Sequence, residues 1–225
     1  FIGGGATTYP GLAAYITMRG ASADLAEFFQ GRKIDGKTVY GVYIFTERGS
    51  EGITMGVTNA LYNFGFEYQD PKKPYHLDGF VNSPDAVKGL EYYKALYKCC
   101  TAPGMTNAYM QEGLDAFKSG QVAMQMNWFA FFPGLYKDPN VGGDKIGFFV
   151  HPRETKQYTQ LGGQGISVVA YSDHKDDALE YIKWFAQPDV QKKWWQLGGY
   201  SAAKSVVDAP DFPKSAPFAP AFLKS

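Results

Sequence analysis

A chain of 225 residues can bury a sizeable core as one large or two small domains. Its 22 basic residues balance 22 acidic ones, so no net field steers it toward nucleic acid or an anionic membrane, and an uncharged partner is expected. No apolar run approaches the roughly 18 to 20 residues that span a bilayer, and no charged-then-apolar leader opens the chain, which points to a soluble or already processed protein without direct membrane insertion.

The opening FIGGGATTYPGLAAY carries Gly, Thr and Pro and no start Met, and reads as an internal piece of a longer protein. Its Gly3 to Gly5 run is a poor phosphate loop, because no Lys-Ser or Lys-Thr follows. A helix is predicted over residues 22–30, with Asp24 in its first turn. A β-rich run follows at 38–45, where Tyr40, Val42 and Ile44 alternate with Val39, Tyr43 and Phe45. A helix should follow Gly52. Asn82 or Ser83 caps the next, with Pro84 at its first position and Val87, Leu90, Tyr93 (or Lys94) and Tyr97 on one side; residues 101–104 end it. A helix at 111–118 turns at Ser119 and Gly120 into a strand at 122–126, and a strand-to-helix junction then presents Asn127 and Trp128. Pro139, Gly142 and Gly143 mark a loop over 138–144. Strands are predicted at 146–150 and 166–171. A helix at 175–186 shares Ala178, Ile182 and Phe185 on one face, and another runs from Pro188 through Trp195. The Pro-rich end from Asp208 is expected to wrap the surface. Strands alternating with helices argue for an open α/β sheet.

Four places carry candidate binding chemistry. Trp128 offers a flat apolar face and one N–H donor, which suits a sugar ring with apolar C–H faces and outward hydroxyls, and Asn127 adds an amide beside it. In TERGSEG, residues 46–52, Arg48 supplies a forked donor and Glu47 or Glu51 can accept from vicinal hydroxyls; such charged bonds are worth about 1.5 to 3 kcal/mol each. Gly162 and Gly163 permit close backbone approach, with Gln164 as an added amide. Trp194 and Trp195 are neighbours on a helix and cannot face the same way, so one indole is expected in the core, while Tyr200 follows the Gly198–Gly199 break as a further contact. The 16% aromatic content, with 16 Tyr and 4 Trp, fits such a cleft.

Other chemistries have less to stand on. His76, His151 and His174 are isolated and no Cys-x-x-Cys spacing exists, so no metal or cofactor is expected. Cys99 and Cys100 are adjacent, and because neighbouring Cα atoms lie only ~3.8 Å apart, two unpaired thiols are expected. Glu47 and Glu51, on adjacent turns, are the one carboxylate pair a glycosidase reading could use. No Gly-x-Ser-x-Gly elbow is present.

Several phrases, in order and spacing, carry a resemblance: ADLAEFFQGRKIDGKTVYGV, FVNSPDAVKGLEYYKALYK, AFKSGQVAM followed by an aromatic, and GG before a strand leading to SDHKDDALEYIKWF. Over residues 23–204 the chain resembles the family 1 extracellular solute-binding proteins, the sugar-binding subunits of bacterial ABC importers. The resemblance implies a periplasmic, non-catalytic protein of the two-lobed periplasmic-binding-protein type II α/β fold, with discontinuous lobes. It would hold a neutral sugar or polyol and deliver it to ABC permease subunits by hinge closure. It also implies that residues 1–145 belong mainly to the C-terminal lobe, 146–189 return to the N-terminal lobe and 190–225 cross back. The chain would then be truncated at both ends, leaving an unpaired sheet edge and apolar surface. Residues 46–51, 127–129 and 161–165 should meet at the cleft, Gly162 and Gly163 should approach the sugar, and Tyr200 and Ser201 should return to it.

Overall fold

The structure, a computed structural model, describes residues 2–8, 22–151, 154–156, 158–159 and 161–224. Residues 9–21, within the opening read as an internal piece, lie outside them.

Among the described residues six strands form the sheet: β1 (Ile2–Thr8), β2 (Arg32–Ile34), β3 (Lys37–Tyr43), β4 (Val122–Trp128), β5 (Gly147–Phe149) and β6 (Leu161–Gly162). Their order is β2-β3-β4-β1-β5, with β6 pairing β1. β3 and β4 run parallel, Tyr40 opposite Val122 and Tyr43 opposite Gln125, and the remaining pairs are antiparallel. β2 and β3 close a hairpin over Asp35 and Gly36, both at positive φ, as a two-residue Asp-Gly turn demands. Neither β1 nor β2 is evident from periodicity. Three consecutive glycines in β1 depress strand propensity, yet the strand lies between β4 and β5, where ladders on both sides override it.

The helices, in chain order, are α1 (Ser22–Phe29), α2 (Ser50–Ile53), α3 (Asn59–Asn63), α4 (Pro84–Cys100), α5 (Met110–Lys118), α6 (Phe132–Tyr136), α7 (Lys175–Phe185), α8 (Pro188–Gln196), α9 (Lys204–Val207) and α10 (Ala219–Lys224). A π-helical stretch, Thr54–Thr58, joins α2 to α3. Ser83 caps α4 by accepting from the Ala86 amide at 3.2 Å, with Pro84 in the first turn, as expected. The buried face of α4 departs from expectation. Ala86, Gly89, Leu96 and Cys100 are buried, whereas Val87 and Leu90 are 52% and 45% exposed. The cause is close packing: a Cβ on Gly89 would lie 2.7 Å from the Leu61 Cα, so α3 settles on the small residues and leaves the larger ones outside.

Two cores result. The larger gathers Tyr43, Phe45, Phe117, Phe129, Phe132, Trp195, Phe212 and Phe218. The other gathers Leu25, Ala26, Val42, Ile44, Leu96 and Met124. Residues 42–45 therefore alternate between the two; before Gly41 the sense inverts, Val39 joining the second core and Tyr40 packing on the first.

Three expectations are corrected. Residues 166–171 form no strand: Ile166, Val169 and Tyr171 are 52%, 51% and 90% exposed, and no neighbouring strand among the described residues offers them a ladder. The Pro-rich end is not merely surface wrapping, because its aromatic rings fill the larger core, with Phe212 packed on Trp195 at 4.5 Å between centroids. Cys99 and Cys100 are joined to each other rather than free, the covalent bond closing between side chains whose Cα atoms stand 3.7 Å apart at the end of α4.

Candidate functional site

Because β3 and β4 are parallel, their carboxyl ends open at the same edge, the usual place for a ligand in an open α/β sheet. Beyond β3, residues 46–49 lead into α2. This loop is fastened from one side: the amides of Thr46 and Glu47 both donate to the Ala108 carbonyl at 3.0 and 3.1 Å, and the Thr46 hydroxyl donates to the Met105 carbonyl at 2.6 Å. Tyr109 completes the clamp. Its hydroxyl donates to the Glu51 carboxylate, its ring meets Phe45 edgewise at 5.8 Å, and its carbonyl accepts from the Tyr43 hydroxyl. Burial, with Glu112 nearby, pushes the Tyr43 phenol pKa up, so it stays a neutral donor. The Glu47 carboxylate lies over Gly49 and Gly52, where a Cβ would come within 2.5 and 2.6 Å of an oxygen, beside the start of α2. Arg48 is exposed on the same loop.

Beyond β4 lies the second wall. Trp128 is half-buried, packed against the larger core with part of its surface open. Asn127 is fully buried: its Oδ1 accepts from the Trp128 amide at 2.9 Å and its Nδ2 donates to Gln125 Oε1 at 3.3 Å. Its amide thus fixes the backbone that presents the indole. Tyr200 is also half-buried; its hydroxyl donates to the Phe129 carbonyl and its ring stacks near Phe218 at 5.8 Å. Burial pushes this phenol pKa up as well.

The third element arrives through β1. Gly4 pairs with Trp128 and Ile2 with Gly162, so one strand carries Gly162 to within about two residues, roughly 7 Å, of the Trp128 level. Gly163 and Gln164 continue from there and are exposed. The fold therefore brings Trp128, Asn127, Tyr200 and Gly162 to one sheet edge and the Arg48–Glu51 loop to the same edge of β3. Tyr109 escaped sequence reasoning, as did the fastening role of Thr46 within the expected 46–51 loop. The one legible signal was an aromatic before Met110 with Glu112 three residues on, and Glu112 does accept from the Tyr109 amide at 2.9 Å.

Residues 7–221 match the family model described as bacterial extracellular solute-binding protein. The chain belongs to that family. Over 146 residues it is 29% identical to a probable amino-acid ABC transporter periplasmic-binding protein of Sinorhizobium fredii, covering 63% of this chain and 32% of that protein. Among solved structures, the ABC transporter solute-binding protein of Agrobacterium radiobacter in complex with ribitol matches 99% of this chain and 57% of its own, at 22% identity and a TM-score of 0.74. Maltose-bound MalE3 of T. maritima matches 99% and 58%, at 21% identity and a TM-score of 0.76. The periplasmic-binding-protein fold is thus shared, and the chain spans between a third and three fifths of the length of these relatives. Among the described residues no helix is long and apolar enough to cross a membrane.

Proposed function

We propose that the chain forms part of an extracytoplasmic binding protein that grips a neutral sugar or polyol at the carboxyl edge of β3 and β4 and delivers it to ABC permease subunits. The observation that carries this reading is the half-buried Trp128, whose backbone Asn127 holds, at the same sheet edge as the loop that carries Arg48 and Glu51. A zero net charge suits a neutral ligand, and a polyol and a sugar occupy the two similar structures. Gly162, Gly163 and Gln164 supply backbone and amide contacts from a third side; Tyr200 supports the junction. Catalysis through Glu47 and Glu51 has no support, since the family consists of transport components.

The mechanism is closure without covalent chemistry: ligand contacts favour the closed arrangement, and the permease reads it. In this reading residues 1–145 lie mainly in one lobe, 146–189 in the other, and 190–225 cross back. α7, which has no buried residue, and Trp195, Phe212 and Phe218, which join the core of Phe129 and Phe132, favour the division, whereas Ile146, β5 and β6 stay with the core and sheet of the first lobe. Isothermal titration of the native protein with ribitol, maltose and, because of the Sinorhizobium relative's name, a set of amino acids tests the ligand class. Saturable binding of a polyol or sugar is expected; binding of amino acids alone would overturn it.

A further inference from the structure

Gln191, 8% exposed in α8, makes two hydrogen bonds with one amide. Its Nε2 donates at 2.6 Å to the carbonyl of Phe185, the last residue of α7, and its Oε1 accepts at 2.7 Å from the hydroxyl of Ser201, which is 1% exposed. A carbonyl can only accept, so the amide nitrogen must face Phe185 and the oxygen is left for Ser201. The Ser201 hydroxyl accepts in turn from the Ala203 amide at 3.1 Å. One residue earlier, the Tyr200 carbonyl accepts from Trp194 Nε1 at 3.0 Å and the Tyr200 hydroxyl donates to the Phe129 carbonyl, directly after Trp128. A continuous chain of bonds thus runs from the end of α7 through Gln191 to the strand-to-helix junction. α7 itself buries no residue, and this junction, with the Phe185–Trp194 ring contact at 5.6 Å, holds its C-terminal end.

We propose that Gln191 is a positioning residue, which transmits the placement of α7 to Tyr200 and so to the junction that presents Trp128. Its bearing on ligand binding rests on the function proposed above; its bearing on Tyr200 does not. Hydrogen-exchange mass spectrometry separates the two. Gln191→Met keeps length and removes both of its bonds; Ser201→Ala removes the outer one together with the acceptor of the Ala203 amide, and covers the case in which the first variant folds poorly. Each is expected to speed exchange of residues 198–203 about tenfold relative to α4, the change one lost buried hydrogen bond produces, with residues 129–132 following. The Ala203 amide aside, which loses its own acceptor with Ser201, the double variant should be no faster over 198–202 than Gln191→Met alone. Exchange at 198–202 that merely tracks α4, or effects on 198–202 that add in the double variant, would overturn the assignment. If exchange responds and the native protein binds ribitol or maltose, both variants should release that probe faster. If exchange responds but the native protein takes neither, the coupling stands and the ligand-site reading fails.

Discussion

Trp128 shows how one side chain serves packing and recognition together. Its inner edge rests on the larger core and its outer edge stays open, so Trp128→Ala should weaken sugar or polyol binding by roughly 2 kcal/mol, about thirtyfold, and also lower the unfolding midpoint. Trp128→Phe, which keeps the inner packing, should restore most of the stability and less of the affinity; titration beside urea unfolding checks the split. A second residue, His151, contributes a pH dependence to stability. Burial pushes its imidazole from 6.5 down to about 4. Above pH 6.5 both folded and unfolded forms are neutral and the full stability is present. As pH falls below 6.5 the unfolded chain takes a proton that the buried ring refuses, so stability is lost by about 1.4 kcal/mol per pH unit until the folded pKa is reached. Replacing His151 with Leu should flatten that slope by one proton in urea unfolding between pH 7 and pH 4. Residues of this kind were unequally legible. Trp128 stood out because it follows a clear strand, whereas the burial of Asn127 and His151 is a property of their neighbours and leaves no local mark.

At the level of elements, local rules read well where the chain carries its own punctuation. Ser83 and Pro84 open α4, Pro188 opens α8, and Gly120 at φ 74° closes α5 as the Ser-Gly pair announces. They failed where tertiary packing chooses. Gly89 selects the buried face of α4, and residues 166–171, apolar enough for a strand, stay exposed because a strand exists only with a partner. The contact of α1 with β3 depends on one such choice. A Cβ on Gly41 would lie 2.0 Å from the Ala26 carbonyl oxygen, a backbone atom that cannot rotate away. Gly41→Ala should therefore push α1 off the sheet and cost about 1 to 3 kcal/mol, seen as a lower midpoint in thermal unfolding. An unchanged midpoint would show that α1 contributes nothing to the second core.

For the whole molecule, the apolar surface is uneven. Ile166, Val169, Tyr171, Leu179, Tyr181, Trp184, Trp194 and Leu197 are all more than two fifths exposed within one stretch of sequence. An isolated chain of these 225 residues should therefore self-associate, with a sedimentation coefficient that rises with concentration; a concentration-independent monomer would contradict this. The fold class was legible as a pattern of strands alternating with helices, and the family from the order of short phrases rather than from any one of them. The central claim concerns the ligand, and titration calorimetry of the native protein with ribitol and maltose, at low and high salt, tests it most directly. The account predicts saturable binding of a neutral polyol or sugar that barely changes with salt, because no net charge is brought together. Binding restricted to charged solutes, with affinity falling steeply as salt rises, would contradict it.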